Sequence, residues 1–276
     1  MRNKDTVRRL LEHSRYEVLP TATIEEKIVA SVPTDRQLTV TASPAKPLDE
    51  TFALTERLSA HGYDVVPHIA ARMVSGRSEL EDIVARLTEA GVTSVFVPGG
   101  DANQAGNYPD ALSLLEDLAD LGNPFHHVGI TGYPETHPTI SDDLTIQSMW
   151  DKRKFATHVI SNMTFDPKQV DGWVSRMRAR GITLPVLLGV PGPVDRAKLL
   201  TMATKIGVGD STKFLIKHKG TFARLYSGGF TCEKFIEACA KTAADPAMLV
   251  EGMHIFTFNQ VAETEKWRAD LLDQLN

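Results

Sequence analysis

The chain has 276 residues, of which 42% are hydrophobic and 24% charged, and its formal net charge is -5. These values are typical of a soluble α/β protein, and the scattered basic residues argue against a nucleic-acid partner. No apolar run approaches the roughly 20 residues that span a bilayer, and the N-terminus lacks a continuous apolar stretch. We therefore expect a cytoplasmic protein with no membrane partner. Two cysteines, Cys232 and Cys239, are too few for a disulfide framework and indicate reduced thiols.

Eight short apolar runs, most of them rich in β-branched residues, are each followed by a helical pattern. The runs lie at residues 16–19, 37–42, 63–68, 93–98, 125–130, 158–163, 184–190 and 253–258. The helical patterns lie at residues 23–30, 48–61, 78–90, 108–121, 144–154, 167–180 and 260–275. This alternation predicts a (β/α)8 TIM barrel. The length is near the roughly 250 residues of one such barrel, so we expect a single domain over residues 1–276.

The pattern changes between the seventh and eighth strands. Residues 194–206 are helical in pattern, and an insertion at 210–244 predicts at least one more helix. Extra helices at this place in a barrel can cover or shape the substrate opening.

The ends of the predicted strands carry most of the residues with chemical potential. Glu17 lies near the end of the first strand, where apolar surroundings would raise its pKa and make it a general acid. His68 ends the third strand, and Gly99, Gly100 and Asp101 follow the fourth. The two glycines permit close approach of a ligand, and the aspartate can accept hydrogen bonds from a polar heterocycle. Plainer readings stay open, since Glu17 could pair with a nearby cation and Gly-Gly-Asp is a common turn.

The loop after the fifth strand, at residues 130–138, has Tyr133 directly before Pro134, and Glu135 and His137 between Pro134 and Pro138. Such a loop is rigid and offers an aromatic ring with donor groups beside it. The same histidines and carboxylates raise the question of a metal site. The chain has no His-x-His pair, and the adjacent His126 and His127 point to opposite faces of a strand, so we expect no metal. It also has neither Gly-x-Gly-x-x-Gly nor a Walker sequence.

Five motifs, in order along the chain, resemble the methylenetetrahydrofolate reductase family of the bacterial single-barrel type. Tyr-Glu-Val-Leu-Pro at residues 16–20 is similar to the family's Phe-Glu-Phe-Phe-Pro, and Pro-His-Ile at 67–69 to its Pro-His-Leu. Gly-Gly-Asp at 99–101 resembles Arg-Gly-Asp, and Tyr-Pro-Glu-Thr-His-Pro at 133–138 resembles Tyr-Pro-Glu-x-His-Pro. His-Ile-Phe-Thr-Phe-Asn at 254–259 resembles His-Phe-Tyr-Thr-Leu-Asn.

The resemblance implies an oxidoreductase of one-carbon metabolism and methionine biosynthesis. In the family, NADH or NADPH reduces bound FAD, which then reduces 5,10-methylenetetrahydrofolate to 5-methyltetrahydrofolate. Glu17 matches the general acid that helps open the folate ring, and Asp101 matches the aspartate that holds the pterin. Asn162 stands where the family has a folate-contacting glutamine. The predicted cofactor-binding residues are Ser43, His68, Gly99, Gly100, Tyr108, Tyr133, His137 and Lys152.

Several departures from the family pattern fall on the flavin surface. Gly99 replaces the arginine of Arg-Gly-Asp, which removes one cationic donor to the cofactor. Residues 143–154 depart furthest, because Ile146, Met149 or Trp150 occupy positions where the family has polar or basic flavin ligands. Lys152 or Lys154 could supply the cation, or could be a solvated helix charge.

Three functional hypotheses follow from the resemblance and its departures. The first is an FAD-dependent reductase that uses NADH or NADPH and a reduced folate, and that forms a homo-oligomer as family members commonly do. The second is a relative with weakened or lost flavin binding, which transfers hydride directly or performs another folate-linked reaction. The third is a non-catalytic partner subunit.

Overall fold

A computed structural model of the chain describes residues 2–102, 106–134, 140–164, 166–193 and 232–275. Eight short strands alternate with helices along these residues. The strands are β1 Ser14–Val18, β2 Gln37–Val40, β3 Val65–Pro67, β4 Ser94–Phe96, β5 His127–Gly132, β6 His158–Ser161, β7 Val186–Pro191 and β8 Val250–Phe256. Each lies within or beside one of the predicted apolar runs.

The strands form one parallel sheet that curls into a barrel. Their order is β3-β2-β1-β8-β7-β6-β5-β4, so the last strand pairs with the first. A parallel bridge between His68 and Phe96 joins the two remaining strands, β3 and β4. The ring of eight parallel strands confirms the predicted (β/α)8 barrel.

Helices cover the outside of the ring. They are α1 Arg2–Glu12, α2 Ile24–Ser31, α3 Leu48–Ala60, α4 Arg77–Glu89, α5 Ala111–Asp120, α6 Asp142–Lys152, α7 Pro167–Ala179, α8 Cys232–Ala243 and α9 Val261–Gln274. The start of α7 shows how the local sequence sets a helix boundary. The Asp166 carboxylate accepts a hydrogen bond from the backbone amide of Lys168, and Pro167 occupies the first helical position. None of the described helices combines the length and apolarity needed to cross a membrane.

The two faces of each strand separate the main core from the barrel lumen. On β1, Tyr16 and Val18 belong to the large apolar cluster between strands and helices, so the alternate residues Arg15 and Glu17 face the lumen. A second, smaller apolar cluster is made of Val66, Phe96 and Ile160 and fills part of the lumen. The lumen is therefore partly apolar and partly polar, and its polar side chains carry the candidate site.

Some predicted elements differ from the observed ones in their limits. The helix α1 precedes the first strand and is absent from the predicted helical patterns, and β8 starts three residues earlier than its predicted run. Of the predicted insertion between the seventh and eighth strands, α8 is described, whereas residues 194–231 lie outside the described residues.

Candidate active site

Glu17 lies buried in the lumen near the C-terminal end of β1. Its Oε2 atom accepts a hydrogen bond from Nε2 of His254 on β8, at 2.8 Å. Burial raises the pKa of Glu17 to about 7, against the charges of His68 and Arg15, which lower it. A carboxyl group with this pKa holds its proton for a useful fraction of the time near neutral pH, as a general acid must.

Below Glu17, toward the N-terminal ends of the strands, lies a connected set of polar residues that we call the lower network: Arg15, Gln37, Asp64, Thr157 and His158. Arg15 contacts Gln37 Oε1 at 3.3 Å and His158 Nε2 at 3.0 Å. Gln37 donates to Asp64 at 2.7 Å, and His158 Nδ1 lies 3.0 Å from the Thr157 hydroxyl. The Nε atom of Arg15 also lies 3.3 Å from Nδ1 of His254, which links this network to Glu17.

His68 comes directly after β3 and faces the same part of the lumen as Glu17. Its Nε2 atom is 3.7 Å from Glu17 Oε2, too far for a hydrogen bond. That nitrogen is buried and has no hydrogen-bond partner within the described residues. The ring packs edge-on against Phe96, with centroids 4.7 Å apart, and burial lowers the pKa of His68 to about 4. The imidazole is therefore neutral at physiological pH, with one nitrogen available to a ligand.

Three threonines share this property with His68. The hydroxyls of Thr39, Thr41 and Thr131 are buried without a hydrogen-bond partner among the described residues. Alternation along β2 and β5 turns these side chains to the lumen, at the level of Glu17 or nearer the C-terminal rim. Together with Glu17 and His68 we call them the upper set. A buried, unpaired hydroxyl costs about 1–3 kcal/mol, and a polar ligand in the lumen would remove that cost.

The loop after β4 places Asp101 at the rim, beside the loop that follows β3. Backbone amides of Ala71 and Arg72 donate to the carbonyls of Pro98 and Gly99, each at 3.0 Å, so this loop runs alongside the one that follows β3. Gly100 has φ +86°, and a Cβ there would lie 3.2 Å from the Cβ of Ala70. Gly100 therefore has a packing role, whereas a Cβ at Gly99 would meet no atom within 4 Å, and the exposed Asp101 follows the pair.

Tyr133 lies close to Asp101. Burial, with a smaller contribution from the Asp101 charge, raises the pKa of Tyr133 to about 12. Asn162 follows β6 and donates its backbone amide to Gly132 at 2.7 Å, which brings it beside the Tyr133 loop. The side chain of Asn162 is exposed, and its Oδ1 atom accepts a hydrogen bond from the backbone amide of Met163. Ser43 follows β2, and its hydroxyl accepts from the amide of Ala45.

The remaining predicted residues lie away from this rim or outside the described residues. Tyr108 is buried, and its hydroxyl donates to Asp117 of α5 at 2.6 Å. Lys152 is buried in the last turn of α6, and burial lowers its pKa to about 8 despite the charges of Asp110 and Asp151. His137 lies outside the described residues. Glu17 and His68 are thus in direct proximity, Asp101 and Tyr133 form a second pair at the rim, and Lys152 belongs to the helical layer.

Helix α6 is where the resemblance expects the ribityl and phosphate groups of FAD. It begins with Asp142 and Asp143 at the rim, and Asp143 pairs with Arg180 at 2.6 Å. Ile146 and Met149 are buried in the main core. Lys152 lies ten residues from the helix start, about 15 Å along the axis away from the rim. Two carboxylates at a helix N-terminus repel a phosphate, so the described residues of α6 do not fit the FAD phosphates.

A tight turn after β8 ties the closing strand to the loop after β1. Phe258 and Asn259 have φ +50° and +61°, which is an uncommon conformation for residues other than glycine. The Asn259 side chain accepts from the amide of Leu19 at 2.8 Å and donates to its carbonyl at 3.0 Å. Thr257 donates to the carbonyl of Glu17 at 2.6 Å. These bonds hold the backbone that carries Glu17.

Sequence reasoning did not identify several residues that surround Glu17. The alternation of side chains along β1 could have identified Arg15, because residues two apart on a strand share a face and Arg15 is two residues from Glu17. His254 was noted only as part of a matched motif. Thr39, Thr41 and Thr131 carry no signal in a single sequence, since a lumen threonine and a surface threonine look alike. Within the described residues, no group of three or more His, Cys, Asp or Glu is placed to hold a metal ion.

Comparisons with solved structures identify the same fold. The chain resembles a lyase/mutase from Burkholderia cenocepacia J2315, with a TM-score of 0.52 and 14% identity, over 97% of this chain and 85% of that one. It also resembles 2,3-dimethylmalate lyase, a member of the PEP mutase/isocitrate lyase superfamily, with a TM-score of 0.52 and 10% identity, over 99% and 87% of the two chains. At these identities the likeness concerns the fold alone.

Sequence comparison goes further than the fold. An alignment 125 positions long, which covers 41% of this chain, is 22% identical to methylenetetrahydrofolate reductase 2 of Saccharomyces cerevisiae and spans only 21% of that longer protein. The sequence profile of the methylenetetrahydrofolate reductase family matches residues 26–271, most of the chain. The chain therefore belongs to the methylenetetrahydrofolate reductase family.

Proposed function

We propose that this protein reduces 5,10-methylenetetrahydrofolate to 5-methyltetrahydrofolate with NADH or NADPH, and that Glu17 supplies the proton. The observation that carries the proposal is the buried carboxyl group of Glu17, with a pKa near 7, at the rim of a barrel whose family acts in folate one-carbon reduction. Active sites of such barrels lie at this end of the strands. The unpartnered polar atoms of the upper set give a polar heterocycle its hydrogen-bond partners.

The chemistry needs one proton and one hydride. The methylene carbon bridges N5 and N10 of the folate, and breaking its bond to N10 leaves an iminium at N5. Neutral Glu17 gives its proton to N10 as that bond breaks, and the hydride then adds to the iminium carbon to form the methyl group. Glu17 ends as a carboxylate and regains a proton from solvent. The environment that raises the pKa of Glu17 favours the protonated carboxyl group before the reaction and its reprotonation afterwards.

Asp101 and Asn162 are proposed to hold the pterin. Both lie at the rim, Asp101 after β4 and Asn162 after β6, on either side of the Tyr133 loop. A carboxylate accepts hydrogen bonds from the amino and ring N–H groups of a pterin, and an amide can both donate and accept. The exposed Asp101 side chain is free to approach a ligand from the solvent side.

The hydride route has two candidate forms. In one, FAD bound at the rim relays the hydride from nicotinamide to folate, as the family resemblance implies. Ser43, His68, Gly99, Gly100, Tyr133 and His137 stay predicted flavin contacts. In the other, nicotinamide passes hydride directly to the folate carbon. The structure of α6 favours the second form, since its rim end carries Asp142 and Asp143 and its lysine is buried elsewhere.

The test is an assay of the purified protein with methylenetetrahydrofolate and each nicotinamide, with and without added FAD. Formation of 5-methyltetrahydrofolate, followed by mass spectrometry, supports the reductase. A nicotinamide carrying deuterium at C4 separates the two routes. Direct transfer retains the deuterium in the methyl group, whereas a reduced flavin exchanges it with water. Absence of product under all four conditions would contradict the proposal and favour a non-catalytic subunit.

A further inference from the structure

Arg15 is a buried cation whose hydrogen-bond acceptors are all neutral groups. In the described part of the chain its three contacts are His254 Nδ1 at 3.3 Å, Gln37 Oε1 at 3.3 Å and His158 Nε2 at 3.0 Å. Burial lowers the pKa of Arg15 to about 9, and the charges of Asp64 and Glu17 oppose that fall. Arg15 therefore stays protonated at neutral pH. It lies just before the motif at residues 16–20 and has no part in the family resemblance.

The donors on Arg15 decide which nitrogen of His254 carries a proton. A guanidinium has only donors, so His254 Nδ1 must accept from Arg15 Nε. The proton of the neutral ring then lies on Nε2, where it is donated to Glu17 Oε2. The same rule makes His158 Nε2 an acceptor and puts its proton on Nδ1, facing the Thr157 hydroxyl. An imidazolium at His254 would point an N–H group at the guanidinium, with two donors facing each other.

We propose that Arg15 is a positioning residue that prevents His254 from taking the proton of Glu17, and so keeps that proton available for the substrate. The inference rests on the proposed role of Glu17 as proton donor. Because His254 donates to Oε2, the transferable proton of Glu17 is on Oε1. A glutamate beside an unconstrained histidine would readily form a carboxylate–imidazolium pair, which has no acidic proton on the carboxyl group.

The charged and titratable groups around Glu17 agree with this assignment. Burial and the Arg15 charge hold the pKa of His254 well below its usual value. His68, the other imidazole facing Glu17, also has a lowered pKa, chiefly because of burial. Asp64 approaches Arg15 only through Gln37, and His127 faces His158 rather than Glu17. Among the residues that the structure describes, Glu17 is the carboxylate in contact with His254, and no second one lies against the ring.

Nuclear magnetic resonance of the full chain, labelled with 15N at histidine and free of ligand, tests the inference without any assay. The His254 signals are assigned as those missing from His254→Gln. We expect a neutral ring protonated at Nε2 from pH 5 to pH 8. A ring protonated at Nδ1, or an imidazolium at pH 6–7, would overturn the inference. Neither result depends on whether the protein is a reductase, so a failure here is distinct from a failure of the proposed function.

A pair of variants tests the consequence for turnover. In Arg15→Met we expect His254 to become protonated and folate reduction at pH 7 to fall about tenfold or more, since the acid is ionised. The double variant Arg15→Met/His254→Gln has an amide that donates to Glu17 and cannot take a proton. It is expected to recover most of the loss and to restore the pH profile.

A purely structural role for Arg15 predicts no recovery in the double variant, and that result would overturn the inference. A role through charge alone predicts that Arg15→Met raises the pKa of Glu17 and leaves His254 neutral, which would also overturn it. Should Arg15→Met fail to fold, the wild-type resonance of His254 still tests the inference, because a ring protonated at Nδ1 or an imidazolium would overturn it.

Discussion

The lower network and the upper set occupy the same lumen, yet their hydrogen bonding differs. Each member of the lower network is bonded to another, from Asp64 through Gln37 and Arg15 to His158 and Thr157. In the upper set, four of the five residues have a buried polar atom without a partner in the described structure. On β1 and β2 the nearest members of the two groups are two residues apart, at Arg15 and Glu17 and at Gln37 and Thr39. The upper set is also the more buried of the two, since Asp64 and Thr157 of the lower network are exposed whereas Thr39, Thr41 and His68 are buried.

The difference identifies the end of the barrel where a ligand belongs. Unsatisfied buried polar groups cost about 1–3 kcal/mol each, so a chain selected for stability alone would pair them or replace them by apolar residues. In (β/α)8 barrels the N-terminal end of the strands serves stability and the C-terminal end serves function. His254 connects the two groups, because it touches Arg15 on one side and Glu17 on the other.

The largest expected effect comes from Glu17, the one member of the upper set that is proposed to transfer a proton. Glu17→Gln keeps the shape and removes the acid, so folate reduction should slow about 10²- to 10⁴-fold. Binding of the nicotinamide, measured by fluorescence, should change little. The matched control is Glu251→Gln, an exposed glutamate on β8, which should keep wild-type turnover. A Glu17→Gln enzyme with more than a tenth of wild-type activity would remove Glu17 from the mechanism.

Sequence reasoning predicted the barrel because its signals are local. Strand length, β-branched runs and helix starts such as Asp166-Pro167 depend on neighbours in sequence, and all eight strands appeared where those signals lie. The proximity of Glu17 to His68 also followed, because both end parallel strands of one ring. These are the parts of the molecule in which topology alone positions a residue.

The surroundings of α6 and Arg15 could not be predicted in the same way. The rotation of a helix about its axis decides whether residues such as Ile146 and Met149 face the core or a ligand, and this depends on packing against neighbouring elements. The pairing of Arg15 with His254 joins residues 239 positions apart, through the contact of β1 with β8. Such a contact exists only once the ring is closed.

Acid should destabilise the protein because its lumen histidines fold in the neutral form. Burial lowers the pKa of His68 to about 4, of His158 to about 3, and of His254 well below 6.5. Between pH 6.5 and 4.5 the unfolded chain binds up to three protons at these positions that the folded chain does not. Glu17 reduces this difference by one proton. Its raised pKa means that between pH 4.5 and 7 the folded chain binds a proton at Glu17 that the unfolded chain does not.

About two protons thus favour unfolding, so the free energy of unfolding should fall as pH drops through this window, on the order of 2 kcal/mol per pH unit. Urea midpoints at several pH values measure the slope. His158→Gln should make the slope shallower, whereas His126→Gln, at an exposed histidine on the surface, should leave it unchanged. A stability that does not depend on pH from 6.5 to 4.5 would mean that the lumen histidines titrate freely.

The turn after β8 should matter for stability more than its exposure suggests. Asn259→Ala removes the bonds to Leu19 and places alanine at φ +61°, so the free energy of unfolding should fall by about 3 kcal/mol. Asn259→Gly removes the same bonds but tolerates that backbone, and should cost about 1 kcal/mol less than alanine. Chemical denaturation measures both. Equal losses would show that the left-handed conformation carries no strain here.

The smallest expected effects compare one substitution at two fully buried threonines. Thr257 donates to the carbonyl of Glu17 and accepts from the amide of Asn259, whereas the Thr39 hydroxyl has no partner in the described structure. Thr257→Val should therefore lower the free energy of unfolding by about 1–2 kcal/mol, because it leaves partners unpaired. Thr39→Val exchanges an unpaired hydroxyl for a methyl group of similar size, so stability should stay level or rise by up to about 1 kcal/mol.

The two threonine substitutions should affect substrate binding in the opposite order from their effects on stability. If a folate or nicotinamide uses the Thr39 hydroxyl, Thr39→Val leaves a polar atom of that ligand unpaired and should raise its KM about five- to tenfold. Thr257→Val should raise KM less, because its hydroxyl is already occupied by the backbone. A Thr39→Val protein that is both less stable and unchanged in KM would show that its hydroxyl is satisfied within the folded chain, and that the upper set does not mark a binding surface.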